Sequence, residues 1–393
     1  MFQPSREAGL QRFHDFLPRA GSDYAATRNY DQPYGDNVSR LSPWIRVRLL
    51  TEWELVAAAL KRHGARNAGK FVDEVCWRTY WKGWLALRPS IWDDYIEELK
   101  LAQRSAEKNP VYRDLIVSRT GIECMDVWTQ ELIETGYLHN HARMWYASIW
   151  VHTLKVPWVL GAAFFLRHLL DGDAASNTLS WRWVAGLQTV GKTYLAQASN
   201  IEKYTRGRFK VKTPLAQSPT IVDAFRENPK VQPLVETKVP PSAGKLGLLV
   251  HEDDLSSVRW IQQEYPIESI AGFLPSKAYH QSGISDKVID FRERCLRSTL
   301  PDSTRIHRSA ETLADWARSE KLDAVMMAEP SVGIWDSVLP AIEAVLNPHG
   351  ILIYKPRHWW DSHLYPHARA GFFRFKKAVP AVLEKLYKDP ICT

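Results

Sequence analysis

Between Gly136 and Trp183 the chain reads GYLHNHARMWYASIWVHTLKVPWVLGAAFFLRHLLDGDAASNTLSWRW. Histidines, aspartates, asparagines and tryptophans stand there in sequence that is otherwise apolar and helical. Polar groups are costly to bury without partners, so their density in an aromatic run predicts a lined pocket rather than a plain core. A second set lies in KFVDEVCWRTYWKGW, residues 70–84. Glu74, Trp77, Arg78 and Trp81 fall at helical spacings of three and four and share one side. A carboxylate, a guanidinium and indoles do not make an ordinary buried stripe. The plainer alternative is an amphipathic helix with a surface Glu74–Arg78 pair. A third set is SRLSPW, residues 39–44, where Ser39 and Ser42 flank Arg40 ahead of helix-like sequence from Trp44 to Arg62. Such a turn offers hydroxyls and backbone amides to an anion. From these residues alone, ordinary capping by Ser42 before Pro43 is the favoured reading.

The elements that must position these groups fall into two textures. The 393 residues are enough for two domains, or one large and one medium, and a hydrophobic content of 45% supplies their cores. There are 17 Trp against 13 Phe, an excess that packing alone does not require and that suits stacking on planar ligands. A net charge of +7 is compatible with a polyanionic partner without demanding one. Cys76, Cys124, Cys295 and Cys392 lie far apart with no CxxC pair, which argues against a zinc ribbon or an iron–sulfur site. No apolar run reaches the length of a membrane span, since Gly161–Leu170 is interrupted by Arg167 and His168. A soluble, cytoplasmic monomer is expected.

Helical periodicity runs from Gly9–Leu17 through a Gly/Asn/Asp/Pro loop to Trp44 and onward. It returns from Met125 to Leu170 with breaks near Gly136 and Pro157. Pro214, Pro219, Pro229, Pro233 and the pair Pro240-Pro241 then mark a linker, placed at 213–244. Beyond it Leu246–Val250, Ile267–Leu274, Asp323–Ala328 and Gly350–Tyr354 read as buried parallel strands. Helices are expected between them at Ser256–Glu264, Asp286–Arg297, Glu311–Glu320 and Val338–Leu346. Neither GxGxxG nor GxxxxGK[ST] occurs in this half, so nothing marks it as a nucleotide site. His358, His363 and His367 do not make a metal site, because Pro366 interrupts their helical spacing.

With these stretches in order, the chain resembles the DNA photolyase/cryptochrome superfamily. SRLSPW resembles that family's phosphate-binding turn, and FVDEVCWRTYWKGW its helix carrying an active-site Glu and Trp. TGYLHNHARMWYAS at 135–148 and LLDGDAASNTLSWRWVAG at 169–186 are similar to its two most diagnostic segments. More loosely, LGLLVHEDDLS, LDAVMMAEPSVGIWDSVLPAIEAVL and AGFFRFKKAVPAVLEKL resemble parts of the α/β domain that precedes the flavin domain in the family. The resemblance implies an α + α/β fold: an all-helical photolyase-type FAD-binding domain over 1–212, then a Rossmann-like parallel-sheet domain over 245–393. The order is that of a circular permutation.

Residue by residue, the resemblance implies FAD held by Tyr24, Ser39, Arg40, Leu41, Ser42, Phe71, Glu74, Arg78, Asn140, Arg143, Asp171, Asp173 and Asn177. Arg143 and Asp171 are expected as an ion pair beside the flavin ring, and Asn177 opposite its N5. Glu74, Trp77, Met144 and Trp183 would meet a flipped-out cyclobutane dimer, with Asn177 completing the catalytic set. Trp181 and Trp158 match the two inner members of the electron-transfer chain, while Leu115 occupies the outermost position. Val38, Tyr137 and His141 depart from the family, and Asn140 speaks against the six-four subclass. Lys192, Lys203, Arg206 and Arg208 would meet phosphates of damaged single- or double-stranded DNA. Whether a second, antenna chromophore is bound stays open. The implied activity is cyclobutane-dimer repair by light. The alternative is a cryptochrome-like photosensor with weak or no repair. The plainest reading is a basic helical protein whose tryptophans only pack.

Overall fold

The structure is a computed structural model that describes residues 2–33, 35–189, 191–222, 227–240 and 244–388, with side chains as far as 384. Cys392 and Pro241 therefore lie outside the described residues. Up to Tyr204 the described elements are all helical. The largest is Glu52–Ala86, opened by a capping box in which the Glu54 carboxylate accepts from the Thr51 N–H at 2.9 Å. Gly64, at φ +71°, divides it into two helical stretches. The second stretch carries Phe71, Glu74 and Arg78. Helices Glu123–Thr135 and Asn140–Ser148 meet at Gly136, whose φ of +71° closes the first as a left-handed cap. The Gly136 carbonyl accepts from Leu170 N–H at 2.9 Å, which ties that cap to the turn before Asp171.

Helix Asn140–Ser148 does not stop at Ser148. It widens over Ile149–Thr153 into an i→i+5 turn, with Leu154 N–H donating to Ile149 at 2.9 Å. Helices Trp158–His168 and Ala174–Val184 follow and pack on each other, joined by Leu169–Asp173. Close approach there depends on Gly161, since a Cβ at that position would overlap the Trp181 ring and touch Trp150.

The second half is a five-stranded parallel sheet. Strands β1 (Leu246–His251), β2 (Ile267–Phe273), β3 (Ile306–His307), β4 (Ala324–Met326) and β5 (Leu352–Tyr354) lie in the order β3-β2-β1-β4-β5. Helices Ser257–Glu264, Asp286–Thr299, Ala310–Ser319 and Trp335–Leu346 fall where the pattern predicts them. β3 is an addition, since two residues are too few to show an alternation. β1 is buried along its whole length, as the central strand of such a sheet must be.

The two halves are closely joined. After β5, helices Trp359–Leu364 and Phe372–Lys376 return to the long helix, where Trp360 Nε1 donates to Thr79 Oγ1 at 2.9 Å and Tyr80 donates to the Ala370 carbonyl at 2.8 Å. One continuous apolar core includes Leu85 and Trp150 from the first half with Leu248 and Trp360 from the second. A smaller core around Val325, Trp335 and Ile342 covers the other face of the sheet. Among the described residues no helix is long and apolar enough to cross a membrane.

Candidate functional site

The turn Asp171-Gly172-Asp173 is the centre of the site. Arg143 meets Asp171 through both guanidinium nitrogens, at 3.1 and 2.9 Å. Burial works to raise the Asp171 carboxyl, but the Arg143 charge and hydrogen bonds outweigh it, with help from Arg78 and Ser42, and hold it below the usual range. Asp173 is used on both oxygens. One accepts from Ser176 N–H at 2.7 Å and caps helix Ala174–Val184, and the other is paired with Arg78. The carboxylates are almost fully buried, at 2% and 5% side-chain exposure, while Arg143 and Arg78 keep 23% and 14%. Both guanidiniums thus stand between a buried anion and an accessible side.

Asn177 is one turn further along the same helix. Its Nδ2 donates to the Ala162 carbonyl at 2.8 Å, which directs Oδ1 the other way as an acceptor. Trp181 shares that face at i+4, with its ring against Gly161. Tyr24 and Phe71 are buried and meet edge-to-face at 5.6 Å. Ser42 is the first residue of helix Ser42–Arg46 rather than its cap, and its side chain bonds to Asp171. The capping reading of Ser42 does not hold. Arg40 takes a positive φ of 54° inside the Ser39–Ser42 turn, its guanidinium donating to the Gln32 carbonyl at 2.9 Å, and Arg12 Nε donates to the Ser39 carbonyl at 2.7 Å.

The surface Glu74–Arg78 pair is not formed. Glu74 is paired with Arg28 at 2.6 Å and Arg78 with Asp173, partners 46 and 95 residues away. Burial, with Asp73 adding to it against the pull of Arg28, raises the Glu74 carboxyl. Trp77 lies parallel to Phe372 at 3.8 Å and Trp183 to Tyr194 at 5.6 Å. Met144 is half-buried, Leu41 is buried in the core, and Asn140 is exposed at the start of its helix. Lys192, Lys203 and Arg206 are exposed. Arg208 differs, because its guanidinium is committed to the buried Asp31 at 2.5 Å, so it is not a free phosphate contact. His139 caps its helix by accepting from His141 N–H at 3.1 Å. His358, one of the three C-terminal histidines, stacks on Trp53 at 4.1 Å.

Two features escaped sequence reasoning. Arg28 carries no motif signal of its own. Trp150 sits in the widened turn and is fully buried, with its ring 5.8 Å from Trp181 and 6.1 Å from the half-exposed Tyr112. Tyr112 precedes Leu115 by one helical turn. Trp158 adjoins Tyr95 at 5.7 Å, and Tyr95 adjoins Trp92 at 5.1 Å, both of them buried.

A helical half whose arginines are backed by buried carboxylates, joined to a five-stranded parallel sheet, makes this an α + α/β protein. Residues 71–210 match the family described as the FAD binding domain of DNA photolyase. The chain is 35% identical over 184 residues to a deoxyribodipyrimidine photo-lyase of Streptomyces griseus, covering 47% of this chain and 39% of that one. It is 35% identical over 191 residues to the same enzyme of Thermus thermophilus, covering 47% and 43%. A solved Synechocystis cryptochrome aligns over 52% of this chain and 44% of its own, with a TM-score of 0.44 and 24% identity. Over its helical half the chain is thus similar to the flavin domain of DNA photolyases. Its match spans less than half the length of these curated relatives. The residues present fit FAD. Hydroxyls and a positive-φ turn suit a diphosphate, paired arginines suit the flavin edge, and the Ser176 Oγ atom is buried without a partner.

Proposed function

We propose that the protein is a flavin-dependent, blue-light-driven DNA repair enzyme acting on cyclobutane pyrimidine dimers. The observation that supports this best is the Asn177 amide, whose Nδ2 is fixed by the Ala162 carbonyl, leaving its oxygen as an acceptor one helical turn beyond Asp173. An acceptor there suits a protonated flavin N5. Bound reduced FAD would supply, on excitation, the electron that splits the lesion. The chain's own residues would hold the ring through Arg143 and Arg78 and the diphosphate through Ser39 and the backbone N–H groups of the Ser39–Ser42 turn, the Ser42 hydroxyl being engaged by Asp171. Glu74, with its carboxyl raised and its Arg28 pair still partly accessible, is placed to hydrogen-bond a lesion carbonyl. Lys192, Lys203 and Arg206 are the phosphate contacts on damaged DNA. The helical-first order of the halves supports a circularly permuted relative of the family, with the division near 213–244. Trp181, Trp150 and Tyr112 form an aromatic path from Asn177 toward the surface that can replenish electrons where Leu115 cannot.

A second reading has an observation of its own. Trp77 and Trp183 each already carry a stacked ring, Phe372 and Tyr194, where a flipped base would stack. That favours a cryptochrome-like photoreceptor with weak repair. Glu74→Ala and Asn177→Ala distinguish the two. In a repair enzyme both lower dimer splitting far more than they lower FAD content. Equal losses of both, or splitting that is untouched, contradict the proposed roles.

A further inference from the structure

The carbonyl in the middle of the Asp171-Gly172-Asp173 turn has two buried donors. Arg46 Nε reaches it at 3.0 Å from the helical half. Arg292 Nη2 reaches it at 2.9 Å from helix Asp286–Thr299 of the α/β half. Arg292 is 1% exposed and lies over the Tyr279 ring at 4.9 Å, and Tyr279 in turn donates to Glu252. Its position is electrostatically unfavourable. Desolvation first, and then the charge of Arg46, favour its neutral form and outweigh the opposing pull of Tyr279, Glu252 and Asp253, and its Nε and Nη1 are buried without a partner. The one hydrogen bond its guanidinium makes among the described residues goes to the Gly172 carbonyl, so that carbonyl is the group it serves.

The surroundings give the same indication. In an open parallel sheet a ligand ordinarily enters the crevice at the carboxyl ends of the strands where their order reverses, here between β1 and β4. In this chain that crevice is filled. Arg46 enters it to pair with Asp253 at 2.8 Å, Ser331 N–H binds Asp253 at 3.0 Å, and Gly333 lies against Ala174. The remaining cavity, lined by Gly172, Asp173, Tyr279 and Arg292 among others, is about 30 Å³. That admits little more than a water, whereas nucleotides and chromophores need several hundred Å³.

We propose that Arg292 is a positioning residue of the flavin site, holding the Gly172 carbonyl from across the domain junction and so setting Asp171 and Asp173. The inference rests on the flavin reading of that site. It is tested in the full-length protein with Arg292→Met, Arg292→Lys and, as a packing control, Tyr279→Phe. FAD dissociation is measured by dialysis, the bound flavin by its visible absorption fine structure, and the apoproteins by urea unfolding. Arg292→Met is expected to weaken FAD by roughly tenfold or more and to blur the fine structure. Its apoprotein should stay at least as stable as wild type. Arg292→Lys should recover part of both flavin readouts, and Tyr279→Phe should leave them unchanged. Wild-type affinity and spectrum in Arg292→Met overturn the proposal. So does a parallel loss of apoprotein stability that Arg292→Lys does not relieve, since that marks a merely structural arginine. A wild-type protein that takes up no FAD overturns the flavin reading itself, and this inference with it.

Discussion

Asp171 is ionised in a nearly closed environment because Arg143 meets both of its oxygens. Removing one partner of a buried pair costs about 3–5 kcal/mol, and the partial exposure of Arg143 places this pair below that range. Asp171→Ala is therefore expected to destabilise the fold by about 1–3 kcal/mol and to abolish retention of FAD, measured as flavin released on denaturation. Full occupancy would contradict the assignment. Both members of this pair were legible from family-like segments. Arg28 was not. At i, i+4 Glu74 and Arg78 look like each other's partners, and only the packing of three distant segments redirects them. Histidines give a pH test. Burial first, and neighbouring positive charges next, lower His139 and His141 to about 4. Their unfolded values lie near 6.5, so the unfolded chain binds more protons between about 4 and 6.5, and stability falls as pH drops through that window. Glu131, raised to about 7 by burial and Asp31, opposes them. With His168 also lowered to about 4, the histidines prevail. The thermal midpoint should fall between pH 6.5 and 4.5, and less so in His139→Asn, which keeps a capping acceptor.

Among the elements, the widened turn at Ile149–Thr153 decides where Trp150 points. An unbroken helix would be the expectation from periodicity, and the inserted turn has no sequence signature, so the route from Trp181 to Tyr112 could not be read in advance. The strands and helices after Leu246 were legible because each apolar run is bounded by polar, turn-forming residues. β3 was not, being only two residues long. Trp150→Phe and Tyr112→Phe should each slow flavin photoreduction severalfold, followed by transient absorption, while leaving FAD content alone. Unchanged rates in both would place the electron path elsewhere, with Trp158, Tyr95 and Trp92 as the other aromatic series. Gly161→Ala drives a methyl into the Trp181 ring and should cost about 1–3 kcal/mol.

At the scale of the whole molecule the two halves meet through buried charge as well as a shared apolar core. Arg48 of the helical half is buried among Glu52, Asp254 and Asp361, with Asp361 bound at 2.7 and 2.6 Å. Burial opposes its charge, but the carboxylates more than compensate and raise the Arg48 pKa. Charged residues far apart in sequence give no sign of such pairing. Arg48→Met leaves those carboxylates uncompensated and should cost about 3–5 kcal/mol or more, read as a lowered urea midpoint. Wild-type protein should unfold in one transition, because the core and the ion pairs span both halves.

Illumination separates repair from photoreception. The full-length protein, loaded with FAD and fully reduced, is exposed to blue light with oligonucleotides carrying one thymine dimer, single- and double-stranded, and intact thymines are counted. Light-dependent restoration is expected in at least one strand form, absent in the dark and sharply reduced in Glu74→Ala. Flavin-loaded, reduced protein that leaves every dimer intact under light would contradict repair and leave photoreception as the function of this pocket.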